Sequence, residues 1–303
     1  MSILFDIILP TYNNCNELLN CLSGFESQTA KDFRLLICID GSTDGTQESV
    51  QAYCLNSTMN IVVLEHPDGM NHGRNATRNL ALPLLNAPYV ICLDSDAIPS
   101  PDFLANHLSI LEQHECVSAG DLNYVNADTN RWAAYLHTRG KKRFANNAQI
   151  PFQYITTGNL GMPTRFFQEL NGQDAAMKGY GGGDTEFAYR LHKTFNPKIY
   201  HAKSAIAESF MQKSIDEALN QMEEFGRGNL QYIRTKHPEF TELFRLNVIL
   251  KQNMQSRLIR ILLHPLLGNI TQRLAKILPM KVAIALLPHA VMSRIWKGLN
   301  SVQ

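Results

Sequence analysis

The sequence predicts an α/β protein: a doubly wound, mostly parallel sheet with a C-terminal helical extension. Three observations point there. Short apolar runs alternate with helical patterns through the first 94 residues, which is the order of parallel βαβ units. Three of the first four strand exits carry polar motifs, PTYNN, DGSTDGT and DSDA, and ligands bind at the carboxyl ends of such strands. The charge then changes character. Residues 243–303 hold nine of the 28 Lys and Arg and none of the 27 Asp and Glu.

Taken in order, ILFDIIL (3–9) is an apolar strand ended by Pro10. Residues 14–28 have helical spacing, with Leu18, Leu22 and Phe25 on one face. FRLLICI (33–39) is the second strand, and TDGTQESVQAYC (43–54) opens a helix capped by Thr43 or Asp44. NIVVLE (60–65) is the third strand. A helix from about Gly73 to Leu85 leads to the fourth, YVICLD (89–94). Beyond residue 100 the pattern predicts a helix at 101–113, a strand at 116–121 and an irregular stretch at 122–156. A short strand at 158–162, helices at 163–170 and 184–194, short strands near 198–200 and 204–207, and a long helix over 213–236 follow. The start lacks the basic and long apolar segments of a signal peptide. The six cysteines form no CxxC pair and read as reduced thiols, so a cytoplasmic setting is expected.

Several stretches carry chemistry. ICLDSDAIP sets Asp94 and Asp96 two apart where a buried strand stops, and residues i and i+2 of a strand point the same way. Two clustered anions repel unless a cation joins them. A hard divalent ion on phosphate oxygens fits; the alternative is a solvent-facing turn. In CIDGSTDGT, Asp40 either accepts hydrogen bonds from a nucleoside or belongs to a helix cap. Arg74 and Arg78 lie four apart, on one helical face. They suit a nucleotide diphosphate, or a solvated surface. GYGGGDTEFAYRL (179–191) surrounds Tyr180 with four glycines and then presents Asp184. The glycines either give substrates room beside a carboxylate base or form a turn capped by Asp184.

Together, DIILPTYNN, DGSTDGT, RNLAL…YVICLDSDA, TGNLGM and GYGGGDTEFAYRL resemble, in order and spacing, the motif series of family 2 glycosyltransferases over about residues 5–236. The resemblance implies the GT-A fold. A glycosyltransferase domain would span 1–240, with a nucleotide-sugar half of about 1–120 and an acceptor half of about 121–240, before the basic tail at 241–303. It implies an inverting transfer from a nucleotide-diphosphate sugar, UDP-sugar favoured, to a glycan or lipid-linked acceptor. Thr11, Tyr12, Asp40 and Arg78 would surround the nucleoside, and Asp94 would lie near the ribose. Asp96 would hold Mg²⁺ or Mn²⁺ on the diphosphate, and Asp184 would be the general base. Gly182 and Gly183 would meet the acceptor, and Trp132, Tyr135 and Tyr154 in the irregular 122–156 region either stack on its sugar rings or belong to the core.

Three departures from the family pattern stand out. Two acidic residues often precede GS, but here the first is Ile39. The G-G-E-D segment has Gly183 where the family has glutamate. Many members carry a histidine ligand after the strand near 204–209; this chain has Glu208, which either replaces it or leaves the metal to Asp96 and phosphate. His201 comes a little early for that role and is expected to cap a strand. Two rival readings remain. A non-catalytic nucleotide-sugar-binding or scaffolding protein would account for the departures. A sugar-phosphate nucleotidylyltransferase would want a Gly-rich basic loop after the first strand, which PTYNNCNE lacks. A processive synthase is disfavoured, since no Q-x-x-R-W motif occurs, and no nucleic-acid partner is expected. The tail predicts two or three helices, with an apolar stripe at 259, 262, 263, 266, 270, 274 and 277. It either caps the body or lies on an anionic membrane without crossing it, at the inner face of the plasma membrane.

Overall fold

The computed structural model describes residues 3–113 and 115–301. Its strands are β1 (Phe5–Thr11), β2 (Phe33–Ile39), β3 (Asn60–Glu65), β4 (Tyr89–Leu93), β5 (Ala97–Pro99), β6 (Cys116–Tyr124), β7 (Asn159–Pro163) and β8 (Lys198–Ser209). Helices in the first part are α1 (Cys15–Glu26), α2 (Thr46–Asn56), α3 (Arg74–Asn79), α4 (Phe103–Leu111), α5 (Arg131–His137), α6 (Thr164–Glu169) and α7 (Gly183–Phe195). Then come α8 (Ile215–Arg227), α9 (Asn229–Lys236), α10 (Phe240–Leu243), α11 (Asn247–Leu250), α12 (Met254–Leu262), α13 (Pro265–Ile277) and α14 (Met280–Asn300).

The strands form one sheet in the order β3-β2-β1-β4-β7-β6-β8-β5. The first four pair in parallel, as do β6 and β8. β7 is antiparallel to β4 and β6, and β5 to β8. Phe5, Ile7 and Leu9 join Leu35, Ile37, Ile91 and Leu93 in one core, packed with Leu18, Leu22 and Phe25 of α1 and Phe103 of α4. The alternate residues Ile8, Leu36, Cys38 and Cys92 point the other way and are also fully buried. Burial on both faces explains why these strands read as unbroken apolar runs. Each such side chain contributes about 1.5–3 kcal/mol. All six thiols are free.

Contacts divide the chain into two units. One is Met1–Val125, Thr138–Ala176 and Gly183–Phe210; the other is Asn126–His137, Met177–Gly182 and Met211–Gln303. The division therefore falls earlier than the boundary expected at 240. The reason is packing within the second unit. Ala283, Leu287 and Ala290 of α14 share a core with Ile215 and Leu219 of α8 and with Trp132 and Tyr135 of α5.

Other differences are local. The two short strands near 198–207 are a single strand, β8. Its register jumps from Gly120↔Ala202 to Asp121↔Ile206, so the residues between bulge and interrupt the pattern. The long helix over 213–236 is broken at Gly228, between α8 and α9. The tail stripe is also broken, because α12 ends at Leu262 and Pro265 starts α13. Among the described residues no helix is long and apolar enough to cross a membrane.

Candidate active site

The exits of β1 and β2 are tied together, because the Asp40 amide donates to the Thr11 carbonyl at 2.9 Å. Thr11 is buried, and its hydroxyl has no hydrogen-bond partner among the described residues. Tyr12 beside it is exposed. Asp40 arrives already bonded. Its carboxylate accepts from the backbone amides of His72 at 2.7 Å and Gly73 at 3.1 Å, which fastens the loop after β3. His66 and His72 lie ring to ring there, 4.3 Å apart. Burial and the neighbouring His72 hold His66 below its usual imidazole pKa.

β4 stops at Leu93, so Asp94 and Asp96 do not follow the strand period as expected. They lie in a turn closed by the Ala97 amide on the Asp94 carbonyl at 3.1 Å. The turn brings Asp94 onto Arg78 and leaves Asp96 exposed. Arg78 corrects a second expectation. It is 1% exposed and its Nη atoms are bonded inside the protein, so its guanidinium faces Asp94 and Gln173 instead of a nucleoside. Its Nη2 donates to Asp94 Oδ1 at 2.5 Å and its Nη1 to Gln173 Oε1 at 3.1 Å. The exposed Arg74 reaches Asp94 Oδ2 at 3.9 Å. A Cβ on Gly158 would stand 2.7 Å from that same oxygen, which accounts for the glycine.

The chain of hydrogen bonds continues. Gln173 Nε2 donates to Thr157 Oγ1 at 3.1 Å. The Thr157 hydroxyl and amide in turn both donate to Asp184 Oδ1, the amide at 3.2 Å. Asp94 and Asp184 are thereby joined through Arg78, Gln173 and Thr157, all three buried. The Asn79 side-chain amide holds the Gln173 backbone, donating from Nδ2 to its carbonyl at 2.7 Å and accepting from its amide on Oδ1 at 2.8 Å. Thr157 belongs to the TGNLGM stretch, so its neighbourhood was visible in sequence. Gln173 carried no sequence signal.

Asp184 is the second residue of α7 and is bonded to Thr157, so it does not cap the glycine turn. Gly182 has φ +82°, a conformation that favours glycine, and a Cβ there would meet Phe225 at 2.8 Å. Packing within the second unit therefore explains Gly182 without any open substrate space. Gly183 has a different reason: its Cβ would stand 2.8 Å from Asn75 Oδ1. Asn75 thus fills the space that a side chain at 183 would occupy.

Trp132 is 5% exposed and packs on Tyr135 in the core of the second unit. That burial leaves neither ring a face for a sugar. Tyr154 accepts from Arg143 Nη2 at 3.0 Å. His201 lies inside β8, fully buried and 3.0 Å from Asp121 Oδ1, so it is neither a strand cap nor an open ligand. Glu208 is exposed on β8, paired with Ile98 two residues past Asp96. Among the described residues no three His, Cys, Asp or Glu side chains group to hold a metal. Asp96 and Glu208 offer oxygen donors only. That suits a hard cation which takes its remaining ligands from phosphate and water.

Comparison with known proteins follows the same lines. The family profile described as Glycosyl transferase family 2 matches residues 6–170. Chondroitin synthase of Escherichia coli is 24% identical over 223 residues, 62% of this chain and 32% of that protein. Validoxylamine A glucosyltransferase of Streptomyces hygroscopicus subsp. jinggangensis is 23% identical over 222 residues, 62% of this chain and 51% of that protein. The chain spans about half or less of the length of these curated relatives. The mannosyltransferase PcManGT from Pyrobaculum calidifontis, solved with GDP-Man and Mn²⁺, superposes over 100% of this chain and 85% of its own, with TM-score 0.62 and 16% identity. S. aureus TarS with UDP-GlcNAc superposes over 100% of this chain and 90% of its own, with TM-score 0.58 and 17% identity. These likenesses show the GT-A fold.

Proposed function

The chain belongs to glycosyltransferase family 2, and from that premise we propose that it is an inverting enzyme moving a sugar from a nucleotide-diphosphate sugar to a hydroxyl of a glycan or lipid-linked acceptor. The observation that carries this reading is the relay from Asp94 to Asp184. It ties a donor-side carboxylate and a second carboxylate together through three buried side chains. Both Thr157 bonds fall on Asp184 Oδ1, so Oδ2 is the oxygen that takes the acceptor proton. As it does, the acceptor oxygen bonds to the anomeric carbon and the bond to the diphosphate oxygen breaks. The electron pair leaves with the nucleoside diphosphate, and attack from the far side inverts the centre. Asp96, with Glu208, would hold Mg²⁺ or Mn²⁺, which when bound neutralises charge on the leaving diphosphate. The Mn²⁺ in PcManGT supports that metal class, and UDP-GlcNAc in TarS supports a UDP donor.

The test is a panel of UDP- and GDP-sugars incubated with the protein and Mn²⁺, read as release of nucleoside diphosphate. Turnover of one donor is the expected result. Binding of nucleotide sugars without release, with or without added glycan acceptors, would instead favour the non-catalytic reading.

The second unit supports membrane attachment. Lys276 pairs with Asp216, and Arg294 and Lys297 pair with Glu223, all on α8. These three cations therefore do serve a helical cap. α12 and α13, by contrast, leave Leu258, Ile261, Leu262, Leu266, Ile270 and Ile277 exposed beside Arg257 and Arg273. An apolar face flanked by cations suits an anionic bilayer surface. Co-sedimentation with anionic but not neutral vesicles, lost when the exposed Ile261, Leu262 and Leu266 are replaced by serine, is expected. Full-length protein left in the supernatant at low salt would make the stripe an interface of another kind.

A further inference from the structure

The segment RGKKR (139–143) places four cations in five residues, and one of them is in an unusual state. Lys141 is 7% exposed. Its one hydrogen bond among the described residues is to Thr156 Oγ1, at 3.4 Å, and it makes no ion pair there. Asp121, whose field acts on it, makes no ion pair with it and has its Oδ1 3.0 Å from His201 Nε2. A buried ammonium is costly unless it is paired and hydrogen-bonded. If the fold required only volume at this position, methionine would fill it without the cost.

Its position suggests what the charge is for. Thr156 adjoins Thr157, which holds Asp184, and the fields of Asp121 and Asp184 both act on the ammonium. Lys142, half-buried beside it, adds a second charge and also feels Asp121. Arg74 and Arg78 serve Asp94 at the other end of the relay. We propose that Lys141, backed by Lys142, is a subsite for an anionic group on the acceptor, a carboxylate or phosphate near the hydroxyl that reacts at Asp184. The proposal rests on the reading of Asp184 as the base and adds the acceptor's class to it. Burial lowers the Lys141 pKa to about 8, so the ammonium is largely charged at neutral pH. An incoming anion would restore what burial removes.

Calorimetric titration tests this with free glucuronate and inorganic phosphate as probes, glucose as the neutral control, and UDP in a separate arm. Wild type is expected to bind at least one anion, more weakly as salt rises, and not glucose. Lys141→Met should lose at least tenfold in anion affinity, keep its UDP affinity, and melt at the same temperature or higher. Lys142→Met should show a smaller loss in the same direction. The proposal is overturned if wild type binds neither anion or if Lys141→Met binds both unchanged. It is also overturned if the variant fails to fold, which makes the lysine structural, or if the loss falls on UDP, which assigns the lysine to the donor. Failure of the donor panel with intact anion binding would sink the transferase reading and leave the subsite.

Discussion

The relay between Asp94 and Asp184 and the turn around Lys141 lie in one unit and treat charge in opposite ways. In the relay each link is a hydrogen bond between 2.5 and 3.2 Å, apart from a still shorter Thr157 hydroxyl bond to Asp184. Lys141 has one bond among the described residues, at 3.4 Å. The difference separates two kinds of site. Groups that act on the reacting atoms gain from being fixed before the substrate arrives. A group that recognises a ligand's charge must keep donors for that ligand.

The largest expected effect tests the fixed end. Asp184→Asn should lower transfer by about 10²-fold or more while keeping the fold and nucleoside-diphosphate affinity, as loss of a general base does. A rate within a few-fold of wild type would remove Asp184 from the chemistry. Thr157→Val sharpens the point. It keeps the backbone bond to Asp184 Oδ1 but deletes the hydroxyl that links Asp184 to Gln173. A drop of about tenfold in kcat with little change in KM would fit a positioning role.

A smaller effect belongs to the exposed carboxylates. Asp96→Ala should weaken donor binding in Mn²⁺ by about tenfold and leave the metal-free affinity unchanged, because the diphosphate would lose a ligand to its cation. Calorimetry with and without Mn²⁺ reads this directly. Glu208→Ala in the same assay decides whether the strand opposite Ile98 contributes.

How much of this was legible in the sequence depends on the range of each contact. β2 and β3 match the expected runs residue for residue, because a short apolar run is a purely local signature, whether the strand is buried like β2 or half-exposed at the sheet edge like β3. Asp184 stands out in the sequence because glycines mark it. Arg78 was recognised as important but read as a ligand contact, because a sequence does not display burial. Gln173 meets Arg78 across 95 positions, and Lys141 owes its state to surroundings that include Asp121 and Asp184. Neither has a local pattern. Trp132 stays open between platform and core for the converse reason: an aromatic residue in an irregular stretch suits either until the second unit's core closes over it.

The smallest expected effect is on stability, and it tests whether Lys141 is buried as an ion. Burial lowers its pKa from 10.5 to about 8, while the fields of Asp121 and Asp184 oppose that shift and Lys142 adds to it. Below pH 8 both folded and unfolded chains carry the charge, and the folded state bears the full desolvation cost. Between about 8 and 10.5 the unfolded state binds more protons at this site, so the site's contribution to unfolding free energy rises with pH. The slope is at most about 1.4 kcal/mol per pH unit. Buried thiols work against it, since Cys21, Cys38 and Cys92 have raised pKa values and favour the opposite trend above pH 9. The informative quantity is therefore the difference between Lys141→Met and wild type, in which the thiols cancel. Denaturant titrations from pH 7 to 10 should find the variant most advantaged at pH 7, with the advantage shrinking as pH rises past 8. A difference that stays flat across that range would mean that Lys141 holds no buried charge, and the contrast with the relay would collapse with it.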